Sequence, residues 1–204
     1  MAEEVEQVLV VPAEWVNALC SQGFSTDVPD NFVRELANKA FFMLRPEAEI
    51  NPSFRQVIPY VLVCYQGKYL TVARQETQTE KRLHNKVSFG IGGHINPVDE
   101  ESGNVLDAGL QRELSEELAI NNPPHLDDLK LVGTLRDDVN EVGLVHFGLV
   151  LRWDVTAPVS IRETDKMIGE YLTLDEIGRQ KERLENWSQL VYEKLASPVA
   201  TANN

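Results

Sequence analysis

The stretch Arg112-Glu113-Leu114-Ser115-Glu116-Glu117-Leu118 constrains this chain more than any other. Leu106, Leu110, Leu114 and Leu118 recur every fourth residue, which makes one apolar stripe if the segment is a helix packed on a core. At about 3.6 residues per turn, Glu113, Glu116 and Glu117 then share an arc of about 100°. Three carboxylates on one strip repel one another unless a cation sits among them, and hard divalent ions such as Mg²⁺ take oxygen ligands of this kind. Glu117 projects at the edge of the apolar stripe, so partial shielding from water is expected there. Gly109, one turn before Glu113, costs about 1 kcal/mol of helix stability relative to alanine and leaves room for close approach to the backbone. The opposing reading is a solvated acidic helix held by pairs such as Arg112 with Glu116 at i, i+4.

Upstream, Ser88-Phe89-Gly90-Ile91-Gly92-Gly93-His94-Ile95 places three glycines in four residues after a short strand. Such a turn lets a ligand reach carbonyls and amides, and a glycine turn, a loop and a helix start together suit a phosphate or metal cradle.

These residues resemble the box of the Nudix (MutT-type) hydrolases: Gly, five residues, Glu, seven residues, Arg-Glu-apolar-x-Glu-Glu-x-Gly-apolar. Gly93 matches the opening glycine, and Arg112, Glu113, Leu114, Glu116, Glu117 and Ile120 match the second half. The chain departs from the box in three ways. Gly93 to Arg112 spans nineteen positions where the box has fourteen. Asn104 stands where the first glutamate would be counted back from Arg112, and Asp99, Glu100 or Glu101 takes that role if the insertion follows it. Ala119 replaces the late glycine. His84, the Gly-Gly-His-Ile-Asn string and the N-terminal extension also resemble a bacterial branch described as predicted MutT-type phosphoesterases.

The resemblance implies an α/β/α sandwich with a mixed sheet and Mg²⁺-assisted (or Mn²⁺-assisted) hydrolysis of a phosphoanhydride. The implied substrate is a nucleoside diphosphate linked to some group X. It gives the metal to Glu116, Glu117 and Glu113, with the Gly93 carbonyl, and lets Glu113 orient water. Arg112 would fix the glutamates by ion pairing, and Asp99 or Glu100 would contribute through water. In such enzymes a late-loop acidic residue often completes the site as ligand or base; Glu163 is the first candidate and Glu141 the second. Two alternatives stay open: a non-catalytic nucleotide-effector module, and a prenyl diphosphate isomerase, which would need a catalytic cysteine near the site.

Arg74, Lys81, Arg82, His84 and Lys86 form the one basic cluster, just ahead of the glycine turn. Contacts from Arg74, Lys81 and Arg82 to substrate phosphates are one reading, and a solvated loop is the other. His94 is a further substrate-side candidate, as metal ligand or proton donor, or else supports its loop by a hydrogen bond. His146, in an apolar run, reads as a satisfied core histidine.

The net charge of −13 argues against nucleic acid and anionic membranes as partners, since both require basic surface. A polyphosphate remains compatible, because a bound cation supplies positive charge locally. Cys20 and Cys64 are the only cysteines, read as reduced core thiols. The acidic start lacks the basic-then-apolar order of a signal peptide. A cytoplasmic enzyme acting on a small molecule, as monomer or homodimer, is expected.

The chain is expected to divide near residue 52, with an α/β extension over 1–52 packed on a core domain over 53–204. In the extension, a strand at Gln7–Val11, a helix from Pro12 to Cys20 and a helix from Pro29 to Ala40 capped by Asp30 are expected. Phe41-Phe42-Met43-Leu44 needs cover, and the extension serves as buttress or as substrate lid. In the core, strands are expected at Gln56–Tyr65, Tyr69–Arg74, Leu129–Arg136, Val142–Val155 and Ile168–Leu174. A short helix capped by Asp175 and a helix from Glu182 to Leu195 follow, then a polar tail.

Overall fold

The computed structural model describes residues 5–74, 86–162, 164 and 167–197; the side chains of Arg74, Glu101 and Ser102 are outside that description. Among the described residues, nine strands form one mixed sheet. They are β1 (Gln7–Pro12), β2 (Gly23–Ser25), β3 (Phe41–Leu44), β4 (Phe54–Tyr65), β5 (Lys68–Arg74), β6 (Val87–Ser88), β7 (Lys130–Arg136), β8 (His146–Asp154) and β9 (Met167–Leu172). The helices are α1 (Ala13–Leu19), α2 (Phe32–Lys39), α3 (Arg45–Ala48), α4 (Val105–Glu117), α5 (Glu141–Leu144), α6 (Leu174–Gly178) and α7 (Asn186–Ala196).

The strand order is β2-β7-β8-β4-β1-β3, and β5, carrying β6 and β9, joins the far end of β4. β4 and β8 are parallel, and every other named strand pair is antiparallel. β4 is buried along almost its whole length, as a strand covered on both faces must be. Val57, Val61 and Val63 meet the clusters built with α1, α2 and α4, while Tyr60, Leu62 and Cys64 meet the cluster built with α6 and α7. This alternation makes the α/β/α sandwich. The hairpin between β4 and β5 turns at Gln66-Gly67, both with positive φ, the geometry that matches strand twist.

One edge of β4 is shared. Residues 54–56 pair with β1 and residues 64–65 pair with β5, so a notch opens between them. The glycine loop fills it. Val61 and Ile91 exchange backbone hydrogen bonds at 2.8 and 3.0 Å, and the Leu9 amide donates to the Ile95 carbonyl at 2.8 Å. Pro59 has the same parity as Val61, so its missing N–H faces this notch and costs no ladder bond. A side chain at Gly92 would collide with the Pro59 carbonyl, which explains a glycine there.

Several elements differ from expectation. Val142–Val155 is not one strand: the Asn140 side chain accepts from the Gly143 amide and winds 141–144 into α5 before β8 begins. α6 is capped by Thr173 in a capping box with Glu176, two positions earlier than Asp175. α2 begins after Asn31, without a side-chain cap from Asp30. The expected helix over 182–195 is split: a 3₁₀ turn at Lys181–Arg183 precedes α7, whose cap is Glu185. Phe41–Leu44 forms edge strand β3, with Phe41 resting edge-on against Phe54 at 5.3 Å. Among the described residues, no helix is long and apolar enough to cross a membrane.

Candidate functional site

α4 carries the acidic strip. Leu106, Leu110, Leu114 and Leu118 are all buried beneath it. The Asn104 side chain caps the helix by accepting from the Asp107 amide at 3.4 Å. The space at Gly109 is filled from the protein itself: a Cβ there would meet the Ile95 side chain and the Asp99 carboxylate.

Arg112 organises the site. Its guanidinium donates to both Asp99 oxygens at 3.0 and 3.1 Å, to Glu113 at 2.7 Å and to Glu116 at 3.4 Å. It also donates to the His94 carbonyl at 2.7 Å and to the Asn96 side chain at 3.0 Å. Burial opposes the charge of Arg112, but the bonds to Asp99 and Glu113 outweigh it and raise its pKa. Asp99 is itself buried and accepts from the Asn96 amide at 2.8 Å. It stands six positions after Gly93, at the box spacing for the first acidic residue, with the extra residues following it. Glu100 is exposed.

The glycine loop also meets α4 at Gly93. A Cβ on Gly93 would overlap the Glu113 carboxylate, so the missing side chain is what lets the loop backbone and this carboxylate touch. Glu113 is held there with its pKa raised, by burial first and by the charges of Glu116 and Glu117; Arg112 opposes the rise. Glu116 is largely exposed, with 60% of its side chain accessible. Glu117 lines a cleft of roughly 200 Å³ together with Gly92, Lys86, Tyr60, Glu185 and Trp187.

Gly93→Ala is therefore expected to push Glu113 out of position and cost about a hundredfold in turnover, the effect of a misplacement near 1 Å. A steady-state assay checks it: full activity in Gly93→Ala would show that the contact has no role.

Tyr60, Glu185 and Trp187 were not expected from the sequence. Tyr60 and Trp187 meet edge to face at 5.8 Å and wall the cleft. Glu185 caps α7, accepting from the amides of Trp187 and Ser188 at 2.9 Å and from the Tyr60 hydroxyl at 3.0 Å. The Ser188 hydroxyl in turn accepts from the Phe89 amide at 2.6 Å, tying the glycine loop to α7. The available signal was the acceptor at Glu185 three positions before Ser188, masked by an apolar pattern that reads through it.

Of the basic cluster, Lys86 reaches the cleft and donates to the Glu182 carbonyl at 3.3 Å. Lys81, Arg82 and His84 lie outside the described residues, as do Glu163 and Asp165, and the side chain of Arg74 is undescribed. Glu141 is exposed in the first turn of α5 and is not among the residues lining the cleft. His94 is not among the residues lining the cleft; its ring meets His146, with the two Nε2 atoms 3.4 Å apart. Burial, with Arg45 and His146 adding, holds the His94 pKa down to about 4, and burial also lowers that of His146. Cys20 and Cys64 are buried free thiols, and burial pushes Cys64 up to about 12.

No protein-family model matches the chain. Protein YmaB of Bacillus subtilis is 34% identical over 208 residues, covering 96% of this chain and all of the relative. The crystal structure of Tm1382, classed as a Nudix hydrolase, is 28% identical with a TM-score of 0.77 and covers 93% of this chain and 98% of its own. A MutT protein of Methanosarcina mazei, 22% identical with a TM-score of 0.50 over 69% of this chain and 91% of its own, shares the fold.

Proposed function

This chain belongs to the Nudix hydrolase family, hydrolases of phosphoanhydride bonds, and on that premise we propose that it cleaves a nucleoside diphosphate linked to a further group, with Mg²⁺ as cofactor. The observation that carries the reading is the junction of Gly93, Glu113 and Arg112. One guanidinium gathers Asp99, Glu113 and Glu116 around a loop carbonyl, beside a cleft that Glu117 lines. An all-oxygen donor set on one helix strip fits a hard divalent ion. Glu116 and Glu117 would hold it, with Glu113 and the Gly93 carbonyl. Bound there, the ion supplies charge neutralisation on the phosphate oxygens and lowers the pKa of water.

The chain's own groups do the rest. Arg112 keeps Glu113 aimed by a 2.7 Å bond and stays off the substrate, because its donors are committed to Asp99, Glu113, Asn96 and the His94 carbonyl. Glu113, one oxygen held by Arg112 and the carboxylate set against Gly93, would serve as a further ligand or orient the attacking water. Lys86 offers positive charge at the cleft mouth. Trp187 and Tyr60 offer an aromatic wall on which a base or other flat group can stack. Chelating divalent ions should abolish hydrolysis and Mg²⁺ should restore it; undiminished turnover in chelator would overturn the metal assignment.

Trp187→Ala should mainly raise KM, by about 1–3 kcal/mol of lost stacking. An unchanged KM for every nucleotide substrate would remove the wall from the binding surface.

A non-catalytic effector module is the second reading, and the aimed Glu113 argues against it. The prenyl isomerase reading needs a reactive thiol, and burial of Cys64, with its pKa pushed up to about 12, argues against that.

A further inference from the structure

Behind the glycine loop, on the face of the sheet that α3 covers, three ligand-type side chains converge without any part in the proposed hydrolysis. Glu49 follows the end of α3, His94 follows Gly93, and His146 opens β8. Their ligand atoms all lie within 4.8 Å of one another. We propose that Glu49, His94 and His146 form a second metal site, for a divalent transition ion of the Zn²⁺ class, with a fourth position open to water.

Three observations carry the proposal. The first is spacing. Two nitrogens on a tetrahedral ion with bonds of about 2.0–2.1 Å stand about 3.3–3.4 Å apart, and the two Nε2 atoms here are 3.4 Å apart. The second is orientation. His146 Nδ1 lies 2.7 Å from the Val142 carbonyl, so that nitrogen carries the proton and the Nε2 lone pair faces His94. A histidine ligand donates its other nitrogen to a backbone carbonyl in this way. The third is an orphaned polar group. Gln56 is the direct register partner of His146 in the parallel β4–β8 pair, so the two share a face of the sheet. Its side chain is fully buried, and neither amide atom has a hydrogen-bond partner among the described residues. A buried amide without a partner marks a place where a bound polar species belongs, and a water on the ion would supply one.

The donor set of two imidazoles and one carboxylate selects a borderline transition ion, whereas the carboxylates of α4 select a hard one. Charged neighbours permit it. Arg45 pairs with Glu6 at 2.8 Å and with Glu49 at 3.3 Å, so Glu49 would exchange one exposed ion pair for the metal, and Glu6 would keep Arg45 neutralised. The consequence is mechanical. The ion would tie α3, from the N-terminal segment, to the His94 backbone, whose carbonyl accepts from Arg112. It would thus brace the loop that touches Glu113.

Metal-free full-length protein titrated with Co²⁺ tests the site, both unaltered and as Glu116→Gln/Glu117→Gln. One equivalent should produce the intense visible bands of four-coordinate Co²⁺ in both proteins, and Zn²⁺ should displace it. Glu49→Gln, on an exposed side chain that folding does not need, should weaken binding at least about tenfold, the scale of losing a group that merely supports a metal ligand. His146→Gln should abolish the bands. The proposal is overturned if no such bands appear, or if they vanish in Glu116→Gln/Glu117→Gln and persist in Glu49→Gln. Mg²⁺-dependent hydrolysis is read separately, so failure here leaves the α4 site standing.

Discussion

Replacing Glu116 and Glu117 together by glutamine is expected to reduce hydrolysis at least about a hundredfold while the thermal transition stays in place. Charge stabilisation by a catalytic ion is worth several kcal/mol, and each 1.4 kcal/mol or so is a factor of ten. The fold should not notice, because neither side chain is part of the core: Glu116 is exposed and Glu117 opens into the cleft. Removing two like charges from one helix strip also relieves repulsion, so the melting temperature of the metal-free protein should hold or rise. Activity and a thermal melt on the same preparation check both halves. Wild-type turnover in the double variant would sink the metal assignment.

Deleting residues 1–50 is expected to give a protein that aggregates or fails to fold. β1 lies between β3 and β4 in the sheet, and its Leu9 amide also donates to the Ile95 carbonyl of the glycine loop. Leu9, Val11, Val16, Phe32 and Leu36 share one cluster with Val57, Ile95, Leu106, Phe147 and Leu149. Losing a single buried side chain of this size costs about 2–5 kcal/mol, and a whole domain is stable by only about 5–15 kcal/mol. Deletion also bares the edge of β4, a template for pairing with other chains. Size-exclusion chromatography and a melt of a chain starting near Ser53 decide it. A monomer with unchanged melting temperature would make the segment detachable. A stable monomer that lost substrate selectivity would favour the lid over the buttress.

Much of the site was readable because its chemistry is local. A leucine every fourth residue and three glutamates within five positions locate α4, its buried face and its acidic strip without any tertiary knowledge. The burial of β4 follows from its unbroken apolar run. What could not be read depends on contacts distant in sequence. Asp99 is one of three neighbouring acids until Arg112 selects it by a two-pronged bond across thirteen residues. β2, three residues long, exists only as an edge partner of β7. Glu185 and Trp187 reach the cleft because Leu184 and Glu185 break the helix, which an apolar period alone reads through. His146 is a core histidine by its strand and its burial, yet its partner His94 lies fifty-two residues away on the glycine loop.

The most direct test is a panel of nucleoside diphosphate derivatives incubated with the full-length protein and Mg²⁺, with phosphate and nucleoside monophosphate read out separately. The account predicts that at least one member yields nucleoside monophosphate only when the divalent ion is present, and that Glu116→Gln/Glu117→Gln fails to produce it. Tight binding across the panel with no product would contradict it and make the chain an effector-binding module.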